Sequence, residues 1–269
     1  MKAFLEILRP FNCIMASTAA IIGLLIARGF AIQTSALIFL AVFMVTGAGN
    51  AVNDYYDREI DAVNRPARPI PSGRLSPGIA LNYSAILFAA GCIAAALVNQ
   101  LCLGLAAINS ILLFFYARNL KAMPLAGNIC VSFLTGSAFI FGGASFGLEG
   151  ISLDLIPFLL SFLATMSREL AKDIEDMEGD RKCGALTLPI LAGERVSAAL
   201  ASIFVLSAVA LSYFAPFGRA YLAIVAVADL FFLGSIPKIL RSDASGSQKT
   251  LKLGMAVALL AFAAAALAR

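Results

Sequence analysis

Two acidic runs hold most of the chemistry that this chain can do. The first reads Asn50-Ala51-Val52-Asn53-Asp54-Tyr55-Tyr56-Asp57-Arg58-Glu59-Ile60-Asp61, and the second reads Arg168-Glu169-Leu170-Ala171-Lys172-Asp173-Ile174-Glu175-Asp176-Met177-Glu178-Gly179-Asp180. At about 100° per residue, Asn50, Asn53, Asp54, Asp57 and Asp61 share one helix face spanning about 100°, and Glu169, Asp173, Asp176 and Asp180 share one of about 60°. Like charges three and four residues apart destabilise a bare helix by a few tenths of a kcal/mol per pair, so each face is built for a cation. The chain has no His, and its five Cys show no CxxC pairing. The donors are therefore all oxygen, which suits a hard ion such as Mg²⁺ rather than zinc. Mg²⁺ is commonly held by one or two carboxylates together with substrate phosphate oxygens, so two confronting Asp clusters would make a receptacle for a diphosphate. Basic residues lie beside both: Arg65, Arg68 and Arg74 after the first, Arg118 and Lys121 midway, and Lys172, Arg181 and Lys182 around the second. Arg forks grip phosphate oxygens in pairs and Lys acts as a point charge. The plainer alternative is a pair of solvated helix ends with topological charges.

The elements that position these residues are membrane spans. Of 269 residues, 61% are hydrophobic and 13% charged, and the mean hydropathy is +0.91. A soluble domain carries about 25% charged residues, and this composition also excludes disorder, a collagen-like fibre and a disulfide scaffold. Uncharged runs cover residues 10–27, 29–53, 75–117, 122–148, 155–167, 196–218, 220–237 (apart from Asp229) and 253–268. Each approaches the roughly 20 residues that cross the hydrocarbon as a helix. The run 75–117 is twice that length and divides near Asn99-Gln100; the run 155–167 is short and extends into polar residues. Nine helices are expected, in an all-α bundle, because the alternation of a barrel strand is missing. All Lys and Arg except Arg28, Arg219 and Arg269 fall on the N-terminal side of that arrangement. By the positive-inside rule this side, with both acidic runs, is cytoplasmic and the C-terminus is outside. All the acidic residues except Glu149, Asp154 and Asp229 lie there too, although the rule gives negative charge no reason to. Asp57 to Asp176 and Asp61 to Asp180 are each 119 residues apart, four spans on, which returns the second run to the side of the first.

At this point the sequence resembles the UbiA superfamily of intramembrane prenyltransferases. The family's first motif, NDxxDxxxD, matches Asn53-Asp54-Tyr55-Tyr56-Asp57-Arg58-Glu59-Ile60-Asp61 in full, and Asn64-Arg65-Pro66-Ala67-Arg68-Pro69-Ile70-Pro71-Ser72-Gly73 is similar to the loop that follows it. The second motif, DxxxD, falls on Asp176 and Asp180, with Lys172-Asp173 upstream and Gly184 and Thr187 downstream. Arg9-Pro10-Phe11-Asn12-Cys13 with Met15-Ala16, Leu134-Thr135-Gly136-Ser137 and Ser167-Arg168-Glu169 narrow the likeness to archaeal members that make membrane ether lipids.

The resemblance implies one transmembrane prenyltransferase domain over residues 1–269. It implies geranylgeranyl transfer from its diphosphate, with Mg²⁺, to the sn-2 hydroxyl of geranylgeranylglyceryl phosphate. Asp57, Asp61, Asp176 and Asp180 are then the catalytic, metal-holding residues, with Asn53, Asp54 and Asp173 as further ligands. Asn12, Asn53, Arg65, Arg68, Lys121 and Lys172 become the substrate-binding set. The expected partners are a prenyl diphosphate donor, a lipid-like acceptor and the bilayer, without nucleic acid; the oligomeric state stays open. Phe114, Phe115, Phe133, Phe139, Phe141 and Phe146, with Gly136, Gly142 and Gly143, could line a slot for prenyl tails, or simply pack helices. Asp229, alone in a span, is a functional suspect that a neighbouring helix can equally satisfy. Two other activities compete: prenylation of an aromatic ring by the same family, and solute transport. Transporter sites lie near the bilayer midplane on broken helices, whereas these carboxylates gather at span ends.

Overall fold

The computed structural model describes residues 2–182 and 184–268; Met1, Cys183, Arg269 and the side chains of Lys182 and Ala244 lie outside the described residues. Helices account for about four-fifths of the chain, and no strand occurs among the described residues. In order they are α1 (Lys2–Ile7), α2 (Pro10–Ile26), α3 (Ile32–Tyr56), α4 (Arg58–Asn64), α5 (Pro77–Ala96), α6 (Gln100–Arg118), α7 (Ala126–Ala144), α8 (Gly147–Leu153), α9 (Leu155–Lys182), α10 (Leu188–Ala192), α11 (Glu194–Ser212), α12 (Gly218–Leu240) and α13 (Ala244–Leu267). Seven of them are long and apolar enough to cross a bilayer. Counted with the short α8 as one span, α9 makes an eighth candidate. The remaining apolar helix, α2, has 17 residues. This accords with the expected count of about nine.

Local chemistry sets the boundaries. Ser76 caps α5 by accepting from Ile79 N at 3.3 Å, with Pro77 in the first turn. The long apolar run divides where expected: Asn99 Oδ1 accepts from Cys102 N at 2.9 Å to start α6, while its Nδ2 donates to Ala144 O at 2.9 Å. One side chain thus satisfies both a helix start and a helix end, where orphan backbone groups are otherwise costly. The first acidic face is not one straight helix. It breaks at Asp57 (φ −84°, ψ 0°), between α3 and α4, though Asp57 N still bonds Asn53 O at 2.9 Å and Asp61 N bonds Asp57 O at 2.8 Å. The break falls where the apolar run ends and the chain turns polar.

The chain divides into two compact units. The first runs to Asn119 and takes in Ala138–Leu153; the second comprises Leu120–Ser137 and the chain from Asp154 onward. In the first, α3 is the central helix, packed by α2, α5 and α6. Its core is rich in small residues, among them Ala20, Ala41, Ala95 and Ala106, which let backbones approach closely where lipid offers no hydrophobic drive. Gly142 belongs to this close packing: a Cβ there would lie 2.0 Å from Ala20 O. The outward face of α5 shows the inverse pattern. Ile79, Ile86 and Ile93 recur every seven residues and are at least half exposed, while Ala80 and Ala95 are buried. In the second unit α9, α11, α12 and α13 pack around Leu170, Val205, Phe232 and Leu251.

Candidate active site

The first motif sits at the α3–α4 junction of the first unit. Asn53 Nδ2 donates to Asp57 Oδ2 at 2.8 Å, which fixes one carboxylate beside the family asparagine. Asp54 is only 3% exposed and receives two cations on a single oxygen. Arg9 Nη2 reaches its Oδ1 at 2.5 Å and Arg68 Nη1 reaches the same atom at 3.3 Å. Arg68 Nη1 also pairs with the buried Asp61 carboxylate. Two of the motif's carboxylates are therefore joined through one guanidinium.

The loop after α4 is folded tightly enough to hold Arg68 in that position. Ser72 N and Ser72 Oγ both donate to Arg68 O, at 3.0 and 2.7 Å, and Leu75 N donates to Pro69 O at 3.0 Å. Gly73, at φ +73°, makes the left-handed turn that this closure needs. Arg74 was expected among the phosphate-gripping residues; it instead clasps Glu6, with bonds of 2.6 and 2.9 Å, and bonds Ala67 O at 2.5 Å. These hydrogen bonds hold the Glu6 carboxyl below its ordinary value and push the Arg74 guanidinium up. Asn50, on the same face as the motif, is also structural: its Nδ2 donates to Leu8 O at 2.7 Å. Arg65 and Asn12 are exposed.

The second motif lies along the C-terminal part of α9 in the second unit. Asn128 Nδ2, from α7, donates to Asp173 Oδ2 at 2.7 Å. Asp176 is exposed and Asp180, one turn on, is half-buried, as is Lys172. Glu169, buried on the same face, pairs with Arg168. Leu186 N donates to Ala122 O at 3.0 Å, tying the turn that carries Lys121 to the segment after the motif. Arg118 lies in the first unit, at the exposed end of α6.

Sequence reasoning did not assign Arg9 or Asn128 to these motifs. Arg9 lies 45 positions from its carboxylate and Asn128 lies 45 from its own, so only tertiary contact reveals them. Outside the motifs, the suspect Asp229 is satisfied by Ser212 Oγ at 2.9 Å. Of the phenylalanines, Phe139 and Phe141 are buried in packing, and Phe133 meets Phe158 edge-on at 5.7 Å. Gly136 faces the α9 backbone, where a Cβ would lie 2.7 Å from Phe158 O.

The donor set fits a hard divalent cation. Asp57, Asp61, Asp176 and Asp180 offer carboxylate oxygens, which suit a hard ion, and the chain has no His to favour a softer one. Among the described residues, no three carboxylate or thiol side chains converge on one point.

Residues 15–262 match the UbiA prenyltransferase family. The chain belongs to that family. Among curated relatives, a digeranylgeranylglyceryl phosphate synthase from Methanothrix thermoacetophila is 53% identical over 260 residues, covering 96% of this chain and 97% of the relative. One from Methanosarcina mazei is 44% identical and covers 98% of each. A solved digeranylgeranylglyceryl phosphate synthase structure superposes with a TM-score of 0.85 at 39% identity, covering 100% of this chain and 99% of the other. A UbiA homolog from Archaeoglobus fulgidus bound to GPP and Mg²⁺ shares the fold, with a TM-score of 0.72 at 19% identity and coverage of 95% and 99%. This UbiA family member is accordingly a multi-pass membrane prenyltransferase, similar to digeranylgeranylglyceryl phosphate synthases.

Proposed function

We propose that this UbiA-family enzyme transfers the geranylgeranyl group of geranylgeranyl diphosphate to the sn-2 hydroxyl of geranylgeranylglyceryl phosphate. The product carries the second ether bond of an archaeal membrane lipid. The observation that supports this is the near-full-length likeness to digeranylgeranylglyceryl phosphate synthases, together with two complete Asp motifs.

Asp57, Asp61, Asp176 and Asp180 would hold Mg²⁺, with Asn53 and Asp173 as further ligands. Bound there, Mg²⁺ offsets the charge that gathers on a departing diphosphate. Arg65, Arg68, Lys121, Lys172 and Asn12 bind and orient phosphate oxygens. When the C1–O bond breaks, the electron pair leaves with the diphosphate and an allylic cation remains. The apolar spans exclude water from that cation, so that the glycerol hydroxyl attacks C1 in its place. The hydroxyl proton passes to a carboxylate or to the released diphosphate, because the chain has no His. The motifs and the N-terminus face the cytoplasm in this reading, with the C-terminus outside.

Purified enzyme incubated with labelled geranylgeranyl diphosphate and a panel of acceptors, read by mass spectrometry, tests the assignment. Geranylgeranylglyceryl phosphate is expected to be the preferred acceptor; preference for an aromatic acid overturns it. Asp57→Ala or Asp176→Ala is expected to abolish transfer while the helical content stays unchanged. Near-normal turnover in either variant would sink the metal assignment.

A further inference from the structure

Asp54 has surroundings unlike those of a metal ligand. Its Oδ1 already receives two guanidinium groups, Arg9 at 2.5 Å and Arg68 at 3.3 Å, and the residue is 3% exposed. A divalent cation at that oxygen would meet two positive charges at contact distance, whereas Asp61 meets one, Arg68, among the described residues. Arg9, by contrast, is well placed to meet an anion. Its side chain is 32% exposed, and among the described residues Asp54 is its one side-chain partner, through Nη2 alone. A guanidinium has five N–H donors in a planar fork, so most of the fork remains available.

The backbone holds this residue under strain. Arg9 is at φ 51°, ψ 68°, in the left-handed region that non-glycine residues rarely enter and that the following Pro10 does not favour. Strain of this kind persists where the surroundings over-determine it, and it concentrates at functional positions. The surroundings are visible here: Leu8 O, one residue upstream, accepts from both Asn50 Nδ2 at 2.7 Å and Cys13 Sγ at 3.0 Å. Pro10 opens α2 one residue downstream. The chain is thus pinned on both sides of Arg9 while its side chain is aimed at the first Asp motif.

We propose that Arg9 binds a phosphate-ester oxyanion of a substrate, and that Asp54 is the positioning residue that holds Arg9 and Arg68 for this task. The role rests on the prenyl-transfer reading above and gives Asp54 a different part from the metal ligand that the resemblance implies. The oxyanion belongs either to the donor diphosphate or to the acceptor phosphate, and both present the same chemistry to a guanidinium.

The test uses the full chain in lipid nanodiscs. Titration calorimetry follows inorganic pyrophosphate binding in the presence of Mg²⁺, and steady-state assays give KM for donor and acceptor separately. Arg9→Gln is expected to weaken pyrophosphate binding, or to raise one of the two KM values, by about tenfold or more, as loss of a charge-assisted pair does. A change in pyrophosphate binding and donor KM places the oxyanion on the donor, and a change in acceptor KM alone places it on the acceptor. Arg9→Lys is expected to recover part of the loss. Asp54→Asn is expected to reproduce the same change, with the double variant no worse than either single one and the Mg²⁺ concentration for half-maximal binding unmoved. Unchanged pyrophosphate affinity and unchanged KM values in a folded Arg9→Gln protein overturn the proposal. So does an Asp54→Asn protein whose Mg²⁺ requirement rises about tenfold while substrate affinity at saturating Mg²⁺ is kept, the signature of a lost carboxylate ligand. If Arg9→Gln does not fold, Arg9→Met is judged by the same readings. Wild-type protein that binds no Mg²⁺-pyrophosphate overturns the prenyl-transfer reading itself, and this one with it.

Discussion

Two arginines six residues apart in one loop do different work. Arg68 is turned inward onto Asp54 and Asp61, whereas Arg74 is turned onto Glu6, so their equal standing in the sequence is divided by the fold. The Glu6–Arg74 pair has a pH signature. Its carboxyl sits below the ordinary value of 4.5, so the pair stabilises the folded state above that pH and its contribution fades as pH falls through the lowered value. Both side chains are well exposed, and the effect is correspondingly modest. Thermal melting of Glu6→Gln beside wild type in detergent should show a gap at pH 7 that narrows towards pH 4; a gap that widens instead would show that the pair is not its source. At this scale the carboxylates were legible because their types and spacing are local. Asn128 was not, because one Asn in an apolar run acquires meaning only when Asp173 meets it.

The helices were legible for a different reason. Each span must satisfy its own backbone in lipid, so apolar length alone announces it. The division at Asn99 could be read from a polar pair interrupting a run twice the necessary length, and the structure shows that residue capping one helix and closing another. The break at Asp57 was not legible, since the helical spacing of the acidic residues continues through it. Glycines separate into two kinds at this scale. Gly142→Ala would place a Cβ 2.0 Å from Ala20 O and 2.5 Å from Leu24 N, both backbone atoms that cannot yield cheaply. Such overpacking costs about 1–3 kcal/mol, and the variant should melt several degrees lower. Gly104→Ala meets nothing within 4 Å and relieves helix-interior backbone entropy worth about 0.5–1 kcal/mol, so it should be neutral or slightly stabilising. Equal melting of the two variants would mean that the close approach of α7 to α2 is not a constraint.

For the whole molecule, the charge distribution predicts an orientation that can be measured. In a chain whose five native cysteines are replaced, a single cysteine introduced at Ser72 should react with a membrane-impermeant maleimide only from the cytoplasmic face. One introduced at Phe214, which is 79% exposed in the connection before α12, should react only from the outer face. The reverse pattern would place the Asp motifs outside the cell and remove the reading of cytoplasmic substrates. Composition settled the membrane class at once, and the family likeness extends to nearly the full chain. Neither of these exposes the part played by the first few residues.

That part has a practical side. Glu6 braces the loop after the first motif and Arg9 reaches into the motif itself, so on the proposal above the leading segment takes part in catalysis. Anyone preparing this enzyme would do well to put an affinity tag behind α13 and leave the front of the chain untouched. Removal of residues 2–9 is expected to lower turnover by at least about tenfold, the scale of one lost charge-assisted contact, in a protein that still inserts into membranes. Matched activities of front-tagged, rear-tagged and trimmed preparations would show that the opening residues are dispensable after all.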